Sequence, residues 1–337
     1  ITVVDTTAPV ADVATLADVT AECSVATLTA PTATDNCAGS ITGTTTTAFP
    51  ITAQGVTEVT WTYTDANGNI STQTQNVVID DVTDPTFTSS PASVTVECDA
   101  DTSVNALGSA TATDNCDDDV TITSADTTVA GVGNNSVITR VWTATDVNGN
   151  ISTYTQTITV EDSTPPTFTT SPADVTVECD ADTATTALGT AVATDNCDND
   201  VTITSADTTV AGVGNNSVIT RVWTATDDNG NAETYTQTIT VVDTTAPTFT
   251  ASPASVTVEC DADTSVTALG SATATDNCDN DVTITSADTT VDGEGNNSVI
   301  TRVWTATDVN GNSSTYTQTI TVVDTTAPVA DVATLAD

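Results

Sequence analysis

A long internal repeat constrains this sequence more than any other feature. Tryptophan recurs every 81 residues, and each copy opens a phrase of the form W-T-x-T-D-x-N-G-N, at Trp61, Trp142, Trp223 and Trp304. A period of this length indicates a tandem array of small domains rather than one large fold. Proline-ended phrases starting at Asp5, Asp81, Asp162, Asp243 and Asp324 mark the joints. We therefore predict module 1 at 5–80, module 2 at 81–161, module 3 at 162–242 and module 4 at 243–323. Residues 1–4 would end a preceding module, and residues 324–337 would begin the next.

The two ends of the sequence are identical. The eighteen residues that open the chain return unchanged at 320–337. A slice cut at one point of a repeating array has identical ends, whereas complete repeat proteins carry atypical terminal repeats. We expect this chain to be one four-module cassette of a longer array.

The charge balance is strongly acidic. Forty-six Asp and Glu residues stand against three Arg, with no Lys and no His, which gives a net charge of −43. Such a charge argues against nucleic acid and anionic membrane surfaces as partners, and it makes cations the natural counterpart. No apolar run is long enough to span a bilayer, so we expect no direct membrane insertion.

Eight cysteines fall two to a module. Because the chain has no His and no C-x-x-C, the pattern favours disulfides in an oxidising, extracytoplasmic setting over zinc sites. We predict pairing within each module: Cys23–Cys37, Cys98–Cys116, Cys179–Cys197 and Cys260–Cys278. One alternative stays open. If Cys98 ends a first strand and Cys116 follows an antiparallel second strand, the two lie ~20 Å apart, and Cys98 would then bond Cys197 of the next module.

The residue pattern is that of β-structure. Thr, Val and Ile alternate between clusters of Gly, Asn, Asp and Pro, and in residues 152–160 one face carries Tyr154, Gln156, Ile158 and Val160 while Thr occupies the other. In module 2 we predict strands near 92–98, 108–114, 120–125, 136–145 and 151–160, with a less defined piece near 126–133. Six or seven short antiparallel strands predict an all-β chain of tandem immunoglobulin-like β-sandwiches, arranged as an extended rod.

The three basic residues occupy equivalent positions. Arg140, Arg221 and Arg302 each lie two residues before a Trp and so on its face of the strand, where module 1 has Val59. We interpret them as structural clamps, stacked on the Trp or paired with a carboxylate.

Several phrases together carry a family resemblance. The segments "SPASVTVEC", "ATATDNC", "ITRVWTATDVNGN" and "YTQTITVVDTTAP" resemble the hyalin repeat (HYR), an immunoglobulin-like module common in large surface proteins of marine and gliding Bacteroidota. All four modules are similar to it, module 1 more loosely. Many bacterial copies carry two further cysteines, and those positions here hold Ser90, Ser171 and Ser252, and Asn67, Asn148, Asn229 and Asn310.

The resemblance implies an extracellular, cell-surface protein. The acidic, Thr-rich cassette is similar to the stalks of giant gliding-motility adhesins of the SprB type. It implies a structural stalk or filament that holds a distal adhesive region away from the cell. Its partners would be neighbouring modules of the same chain, with surfaces or polysaccharides bound through other parts of the protein.

A second function stays open, in which each module itself binds a glycan or a surface. Sugar sites usually present exposed aromatic platforms, whereas each Trp here lies mid-strand, where a core position is expected. We do not expect an enzyme, because every carboxylate cluster recurs in each module and no His or Lys is present.

Oxygen-rich loops predict calcium at the module junctions. In an immunoglobulin-like topology the second-to-third-strand loop and the last hairpin loop lie at the N-terminal end of a module, beside the incoming linker. Calcium prefers six to eight carboxylate, amide and carbonyl oxygens. The competing interpretation is ordinary Asn-Gly and Asp-Asn turn chemistry. The predicted ligands are Asp5, Asp35, Asn36, Asp65, Asn67 and Asn69; Asp81, Asp114, Asn115, Asp146, Asn148 and Asn150; Asp162, Asp195, Asn196, Asp227, Asn229 and Asn231; and Asp243, Asp276, Asn277, Asp308, Asn310 and Asn312.

A short D-T-T phrase recurs in modules 2, 3 and 4. It resembles the Asp-Thr sequences that Bacteroidota O-glycosylate, and a plain polar turn is the competing interpretation. The candidate modification sites are Thr127, Thr208 and Thr289.

Overall fold

A computed structural model describes residues 1–329, so the last part of the predicted next-module segment, 330–337, lies outside the described residues. The chain divides into two compact units, residues 1–162 and residues 163–337. The first unit contains the predicted modules 1 and 2, and the second contains modules 3 and 4. Within the described part of the chain, no helix is long and apolar enough to cross a membrane.

Module 1 has two three-stranded sheets. Its strands are β1 (Val10–Ala11), β2 (Val19–Ala21), β3 (Thr32–Asp35), β4 (Gly39–Thr42), β5 (Gly55–Thr64) and β6 (Ile70–Ile79). One sheet has the order β1-β3-β4 and the other the order β2-β6-β5.

Modules 2, 3 and 4 share a second plan, six strands with a one-turn helix. Module 2 contains β7 (Thr86–Ser89), β8 (Val94–Glu97), α1 (Val104–Leu107), β9 (Thr111–Thr113), β10 (Thr121–Ala130), β11 (Ser136–Thr145) and β12 (Ile151–Glu161). Module 3 contains β13 (Thr167–Thr170), β14 (Val175–Glu178), α2 (Thr185–Leu188), β15 (Val192–Thr194), β16 (Thr202–Ala211), β17 (Ser217–Thr226) and β18 (Ala232–Val242). Module 4 contains β19 (Thr248–Ala251), β20 (Val256–Glu259), α3 (Val266–Leu269), β21 (Thr273–Thr275), β22 (Thr283–Asp292), β23 (Ser298–Thr307) and β24 (Ser313–Val323).

Each module of the second plan is a small β-sandwich. In module 2 the four-stranded sheet β10-β11-β12-β8 lies opposite the two-stranded sheet β7-β9. The ring centroids of Phe87 in β7 and Tyr154 in β12 are 6.1 Å apart, and the same pair recurs in modules 3 and 4. The predicted all-β chain of tandem immunoglobulin-like sandwiches is confirmed.

The predicted alternation along the last strand is also confirmed. Gln156 and Ile158 are fully buried and Val160 nearly so, while Thr153 and Thr155 are exposed. Trp142 is 3% exposed and packs in the same core. It donates through Nε1 to Gln156 Oε1 at 3.4 Å, and Gln156 Nε2 donates to the carbonyl of Ala92 at 3.0 Å.

The prediction that all strands pair antiparallel is wrong at one position in each module. The short strand β8 pairs parallel with β12, with Val94 opposite Ile158 and Glu97 opposite Glu161. Strand β2 pairs with β6 in the same way, as do β14 with β18 and β20 with β24. A parallel neighbour runs toward the same end of the module as the last strand, so β8 carries the chain to the C-terminal end of its module.

Two smaller elements escaped the sequence pattern. The predicted piece near 126–133 is the continuation of one long strand, β10, and α1 is a single turn that the alternation did not indicate. Ser103 caps α1 by accepting from the backbone N of Ala106, and Gly108 ends it with a φ of 92°. Only glycine adopts this conformation without strain.

The Arg interpretation is confirmed as a carboxylate clamp. Arg140 is 3% exposed, and its Nε and Nη2 donate to the two carboxylate oxygens of Asp126, each at 2.8 Å. Nη2 also donates to the carbonyl of Thr102 at 2.8 Å, which ties the long hairpin to the α1 loop. Modules 3 and 4 repeat the clamp with Arg221–Asp207 and Arg302–Asp288.

We predict that the clamp contributes stability in a pH-dependent way. The hydrogen bond from Arg140 lowers the pKa of Asp126 below its ordinary 3.8, and the equivalent clamps lower the pKa of Asp207 and Asp288. A lowered pKa means that the stabilisation is complete above pH 3.8 and is lost as the pH falls through the folded value. The aspartate side chain is 40% exposed, so we expect each Asp→Asn change to cost about 1–2 kcal/mol at pH 7.

The measurement is thermal unfolding of a triple variant. The changes Asp126→Asn, Asp207→Asn and Asp288→Asn should lower Tm by about 4–8 °C per kcal/mol at pH 7, with a smaller difference below pH 3.8. The matched control substitutes three exposed aspartates outside the clamp and should leave Tm unchanged: Asp119→Asn, Asp200→Asn and Asp281→Asn. Equal effects of the two triple variants would contradict the clamp.

Candidate functional site at the module junctions

Two disulfides link successive modules. Cys23 of module 1 bonds Cys116 of module 2 with a Cα–Cα distance of 4.9 Å, and Cys179 of module 3 bonds Cys278 of module 4 at 5.8 Å. Cys98 and Cys197 are disulfide-bonded as well. Among the described cysteines, Cys37 and Cys260 are free and exposed. The four predicted within-module pairs, Cys23–Cys37, Cys98–Cys116, Cys179–Cys197 and Cys260–Cys278, are therefore wrong.

The parallel strand explains the error. Strand β2 places Ala21 opposite Ile79, so Cys23 lies at the C-terminal end of module 1, where Asp80 N donates to Ala21 O at 3.0 Å. Cys37 follows β3 and lies beside Asp5 and Asp35 at the opposite, N-terminal end. Two cysteines at opposite ends of one sandwich cannot meet, because a disulfide requires Cα atoms within about 7 Å. Cys23 instead lies beside Cys116 of module 2.

Three carboxylates meet beside the Cys23–Cys116 bond. Asp81 comes from the linker, Asp114 from the loop after β9 and Asp146 from the β11–β12 hairpin. One oxygen of each lies within 4.8 Å of the others. Asp81 is 4% exposed and Asp146 is 6% exposed, although neither has a basic partner. The structure thus brings together one predicted ligand from each of the three predicted loops.

The two oxygens of each carboxylate have different surroundings. Asp114 Oδ1 accepts from the backbone N of Cys116 at 2.8 Å, and Asp146 Oδ1 accepts from the backbone N of Asn148, Gly149 and Asn150. The turn-chemistry interpretation is therefore correct for these atoms. Turn chemistry does not account for Asp81 Oδ2 and Asp114 Oδ2, which are buried and accept no hydrogen bond. Buried carboxylate oxygens without a donor are costly, and a cation would satisfy them.

The pKa directions show where the repulsion is concentrated. Burial raises the pKa of Asp81, and the charges of Asp114, Asp146 and Glu22 raise it further, against one hydrogen bond from Thr83. For Asp146 burial acts upward, but the hydrogen bonds from the hairpin lower its pKa overall. The hairpin aspartate is thus held ionised, and the linker aspartate experiences the unfavourable field.

Two asparagines of the predicted set donate hydrogen bonds that hold the junction residues in place. Asn150 Nδ2 donates to Asp146 Oδ2 at 2.7 Å and to Asp81 O at 3.0 Å. Asn115 Nδ2 contacts both sulfurs of the disulfide, at 3.4 and 3.1 Å. Asn148 lies on the exposed tip of the hairpin. At this junction three carboxylates of the predicted set therefore lie together, and the amides of Asn115 and Asn150 donate to carboxylates, to the Asp81 carbonyl and to the disulfide sulfurs.

The junction in the second unit repeats this arrangement. Asp243 is 5% exposed, burial raises its pKa, and Asp276, Asp308 and Glu178 add to the effect. Its Oδ2 and that of Asp276 are buried without a donor. Asn312 bridges Asp308 and the Asp243 carbonyl, Asn277 donates to Cys278 Sγ at 3.1 Å, and Asn310 Nδ2 donates to Asn216 Oδ1 of module 3 at 2.8 Å.

The remaining predicted ligands form the same local turns. In module 1, Asp35 and Asp65 are buried, whereas Asn36 and Asn67 are exposed. Oxygens of Asp5 and Asp35 lie within 4.8 Å of Cys37 Sγ. Asn69 Nδ2 donates to Asp65 Oδ2 and to the Asp5 carbonyl. The six equivalent residues predicted for the junction before module 3 are divided between the two units, with Asp162 in the first and the other five in the second. Asp162 accompanies module 2, where its N donates to Asn135 Oδ1, while Asp195, Asn196, Asp227, Asn229 and Asn231 form the turns of module 3.

Sequence reasoning missed one junction residue. Glu22, next to Cys23, accepts from Thr83 Oγ1 at 2.8 Å and from Asn115 Nδ2 at 2.9 Å, both on the side of module 2. Its oxygen lies within 4.8 Å of Asp81 and Cys116. Glu178 holds the linker residue Thr244 in the same way. The sequence feature that could have indicated this residue is a Glu-Cys pair that recurs in every module, at Glu22, Glu97, Glu178 and Glu259.

Two other predicted features have different surroundings from those expected. The candidate O-glycosylation residues Thr127, Thr208 and Thr289 are exposed, but they lie on strands β10, β16 and β22 rather than in a polar turn. The Asp of each phrase is the clamp partner of an Arg, which gives the phrase a structural reason. The tryptophans are 3–4% exposed, so none offers a platform for a sugar.

Comparison with known protein families identifies the repeated domain. The family described as "HYR-like domain with 4 cysteines" matches residues 86–160, 167–241 and 248–322, about two thirds of the chain and one segment in each of modules 2, 3 and 4. The hyalin-repeat resemblance is thereby confirmed for these modules. A search of curated proteins found no relative of this chain.

Solved cadherin structures show only a distant likeness. Drosophila N-cadherin EC1-4 is 16% identical, with 81% of this chain and 85% of that chain covered and a TM-score of 0.27. The protocadherin gamma B4 extracellular domain is 15% identical, with 94% and 67% covered and a TM-score of 0.36. The protocadherin gamma B7 EC3-6 cis-dimer structure is 12% identical, with 94% of this chain and 100% of that chain covered and a TM-score of 0.38. Scores this low support no functional parallel, and the family match alone identifies the chain. It belongs to the family of HYR-like domains with 4 cysteines.

Proposed function

We propose that the chain is a load-bearing stalk segment of a giant repetitive cell-surface adhesin, of the gliding-motility or attachment type, which holds a distal adhesive region away from the cell. The observation that carries this proposal is the covalent link between successive modules. Disulfides persist in oxidising compartments, which supports an extracellular location. Direct glycan binding by each module has less support, because the described tryptophans are buried.

The disulfides change the path that a pulling force takes through the chain. Cys23 and Cys116 are 93 residues apart, and Cys179 and Cys278 are 99 residues apart. A force that reaches Cys23 passes to Cys116 through the sulfur bond and bypasses the chain between them. At 3.3–3.6 Å per extended residue, each bond keeps roughly 30 nm of chain out of the load path. Modules linked in this way resist lengthening even after their strands separate.

Single-molecule force spectroscopy tests this proposal. We expect the fully unfolded oxidised chain, pulled from its ends, to gain at least about 60 nm of contour length when a reductant is added. Pairs within modules would release only roughly 20–25 nm, because their loops are short. The control, with Cys37→Ser and Cys260→Ser, should behave as the parent does. A gain near the smaller value would contradict a stalk reinforced between modules.

We further propose that calcium binds at the junctions. Asp81, Asp114 and Asp146 supply three carboxylates within 4.8 Å of one another, Glu22 lies within 4.8 Å of Asp81, and two of the carboxylate oxygens are buried without a donor. Carboxylates are hard ligands of the kind that calcium prefers, and extracellular modules bind it with Kd values on the order of 10⁻⁴–10⁻³ M. A cation here would neutralise the field that raises the pKa of Asp81, and it would hold the linker against two loops of module 2.

A substitution of the linker aspartates separates calcium binding from folding. We expect about 10 mM calcium to raise the Tm of the parent chain by at least about 5 °C relative to a chelator, because ligand binding stabilises the folded state. In the variant Asp81→Asn plus Asp243→Asn this gain should be lost. Without calcium the variant should be at least as stable as the parent, because burial and three neighbouring carboxylates disfavour the ionised form of each linker aspartate.

The matched control for the linker variant is Asp119→Asn plus Asp200→Asn, at exposed positions. This control should retain the full response to calcium. A parent chain whose Tm is the same in calcium and in chelator would rule out the cation site.

A further inference from the structure

The outermost strand of the large sheet has a free edge in modules 2, 3 and 4. Strand β10 is terminal in the order β10-β11-β12-β8, as β16 and β22 are in the sheets of modules 3 and 4. Within residues 1–329, no strand pairs with the outer side of these three strands. Each edge runs along the side of its module, so it does not depend on which module precedes or follows.

The hairpin after β10 shows which backbone groups face outward. Gly131 N donates to Asn135 O at 2.6 Å, and the register continues this pair as Val129 opposite Val137. In an antiparallel ladder, hydrogen-bonded pairs alternate with non-hydrogen-bonded pairs. The odd-numbered residues of β10 therefore bond β11, and the even-numbered residues point their N–H and C=O groups away from the sheet.

This edge lacks the features that usually protect an exposed strand. Natural edges are protected by short length, Pro, Lys or a bulge. Strand β10 is ten residues long, contains no Pro or Lys and keeps an unbroken register with β11. Nine of its ten residues are exposed, so both of its faces are open to a partner. Module 1 differs, because an irregular segment with one bridge, Thr44 to Thr62, occupies the equivalent position.

The edge is also neutral in a strongly acidic chain. Asp126 is the one charged residue of β10, and both of its carboxylate oxygens accept from Arg140. Strand β16 repeats this pair, whereas β22 ends in an additional Asp292. Copies of a chain with a net charge of −43 repel one another, so a neutral edge is where two copies can approach at low electrostatic cost.

We propose that this edge binds the same edge of a second copy of the chain, in an antiparallel pairing that joins two four-stranded sheets. Only even-numbered residues have outward-facing groups, so they must lie opposite even-numbered residues of the second copy. A two-fold axis at Ala125 meets this condition, with Ile122 opposite Thr128 and Ser124 opposite Asp126. This register places a hydroxyl opposite each Asp126, whereas an axis at Asp126 would place two carboxylates face to face.

The pairing is self-limiting. The other edge of each sheet is the four-residue strand β8, so two sheets joined through β10 have no second long edge. A contact between identical surfaces about a two-fold axis closes rather than extending into a fibre. The paired modules run in opposite directions, which is the orientation of stalks from two facing cells; this last step rests on the stalk function proposed above. The edge contact itself involves neither the disulfides nor the carboxylate clusters, so it can fail while the stalk proposal stands.

Proline substitution at outward positions tests the edge. Pro at an even-numbered position removes an outward N–H and leaves the ladder to β11 intact, so folding should be retained. In about 0.15 M salt the Debye length is about 8 Å, which screens repulsion between copies. We expect the parent chain to self-associate in sedimentation experiments, and the triple variant Thr128→Pro, Thr209→Pro and Thr290→Pro to associate at least tenfold more weakly.

The matched control for the Pro variant keeps the N–H groups. The changes Thr128→Val, Thr209→Val and Thr290→Val should leave the association as strong as in the parent. A parent that stays monomeric, or a Pro variant that associates as strongly as the Val control, would overturn the proposal.

Cysteine cross-linking tests the register without Pro. The background is Cys37→Ser plus Cys260→Ser, which removes the free thiols. The changes Ala125→Cys, Ala206→Cys and Ala287→Cys put a thiol at each two-fold axis, where facing Cα atoms lie about 4.5 Å apart, within disulfide range. The control set, Thr123→Cys, Thr204→Cys and Thr285→Cys, lies on the same exposed face but away from the axis. We expect at least tenfold more interchain disulfide from the Ala set by peptide mapping. Equal yields from the two sets, or none from either, would contradict the pairing.

Discussion

The organisation of this protein depends on the parallel pairing of a short second strand with the last strand of each module. Because β2 runs beside β6 and β8 beside β12, the Glu-Cys pair that ends the short strand is carried to the C-terminal end of the sandwich. The second cysteine follows a strand of the opposite sheet and is left at the N-terminal end. A module built in this way cannot close its own disulfide, and Cys23 and Cys179 each bond a cysteine of the following module instead.

The phrase Thr-Asp-Asn-Cys gathers the junction chemistry into four residues. In module 2, Asp114 Oδ1 accepts from the backbone N of Cys116, and one Asp114 oxygen lies within 4.8 Å of Asp81 and Asp146. Asn115 donates to the disulfide sulfurs and to Glu22, and Cys116 makes the covalent link. The disulfide and the carboxylate cluster are therefore adjacent.

Periodicity alone predicted much of the fold and the right loops of the site. Alternation in β12 gave its buried face, and the Trp spacing gave the repeat, because both depend on local pattern. The calcium hypothesis selected Asp81, Asp114 and Asp146 correctly as neighbours, since loops at one end of a sandwich must converge. The preferred pairing within modules was wrong, the alternative of a bond between successive modules was of the right kind, and Glu22 was missed, because all three depend on strand direction. The side-chain alternation of residues 94–97 is the same whether the neighbouring strand is parallel or antiparallel.

The most direct test of this account is the disulfide connectivity of the oxidised chain, read by peptide mapping under non-reducing conditions. The account predicts peptides that join Cys23 to Cys116 and Cys179 to Cys278, with Cys23 and Cys37 never in one linked pair. A peptide that joins Cys23 to Cys37, or Cys179 to Cys197, would contradict the strand arrangement and with it the covalent link between modules.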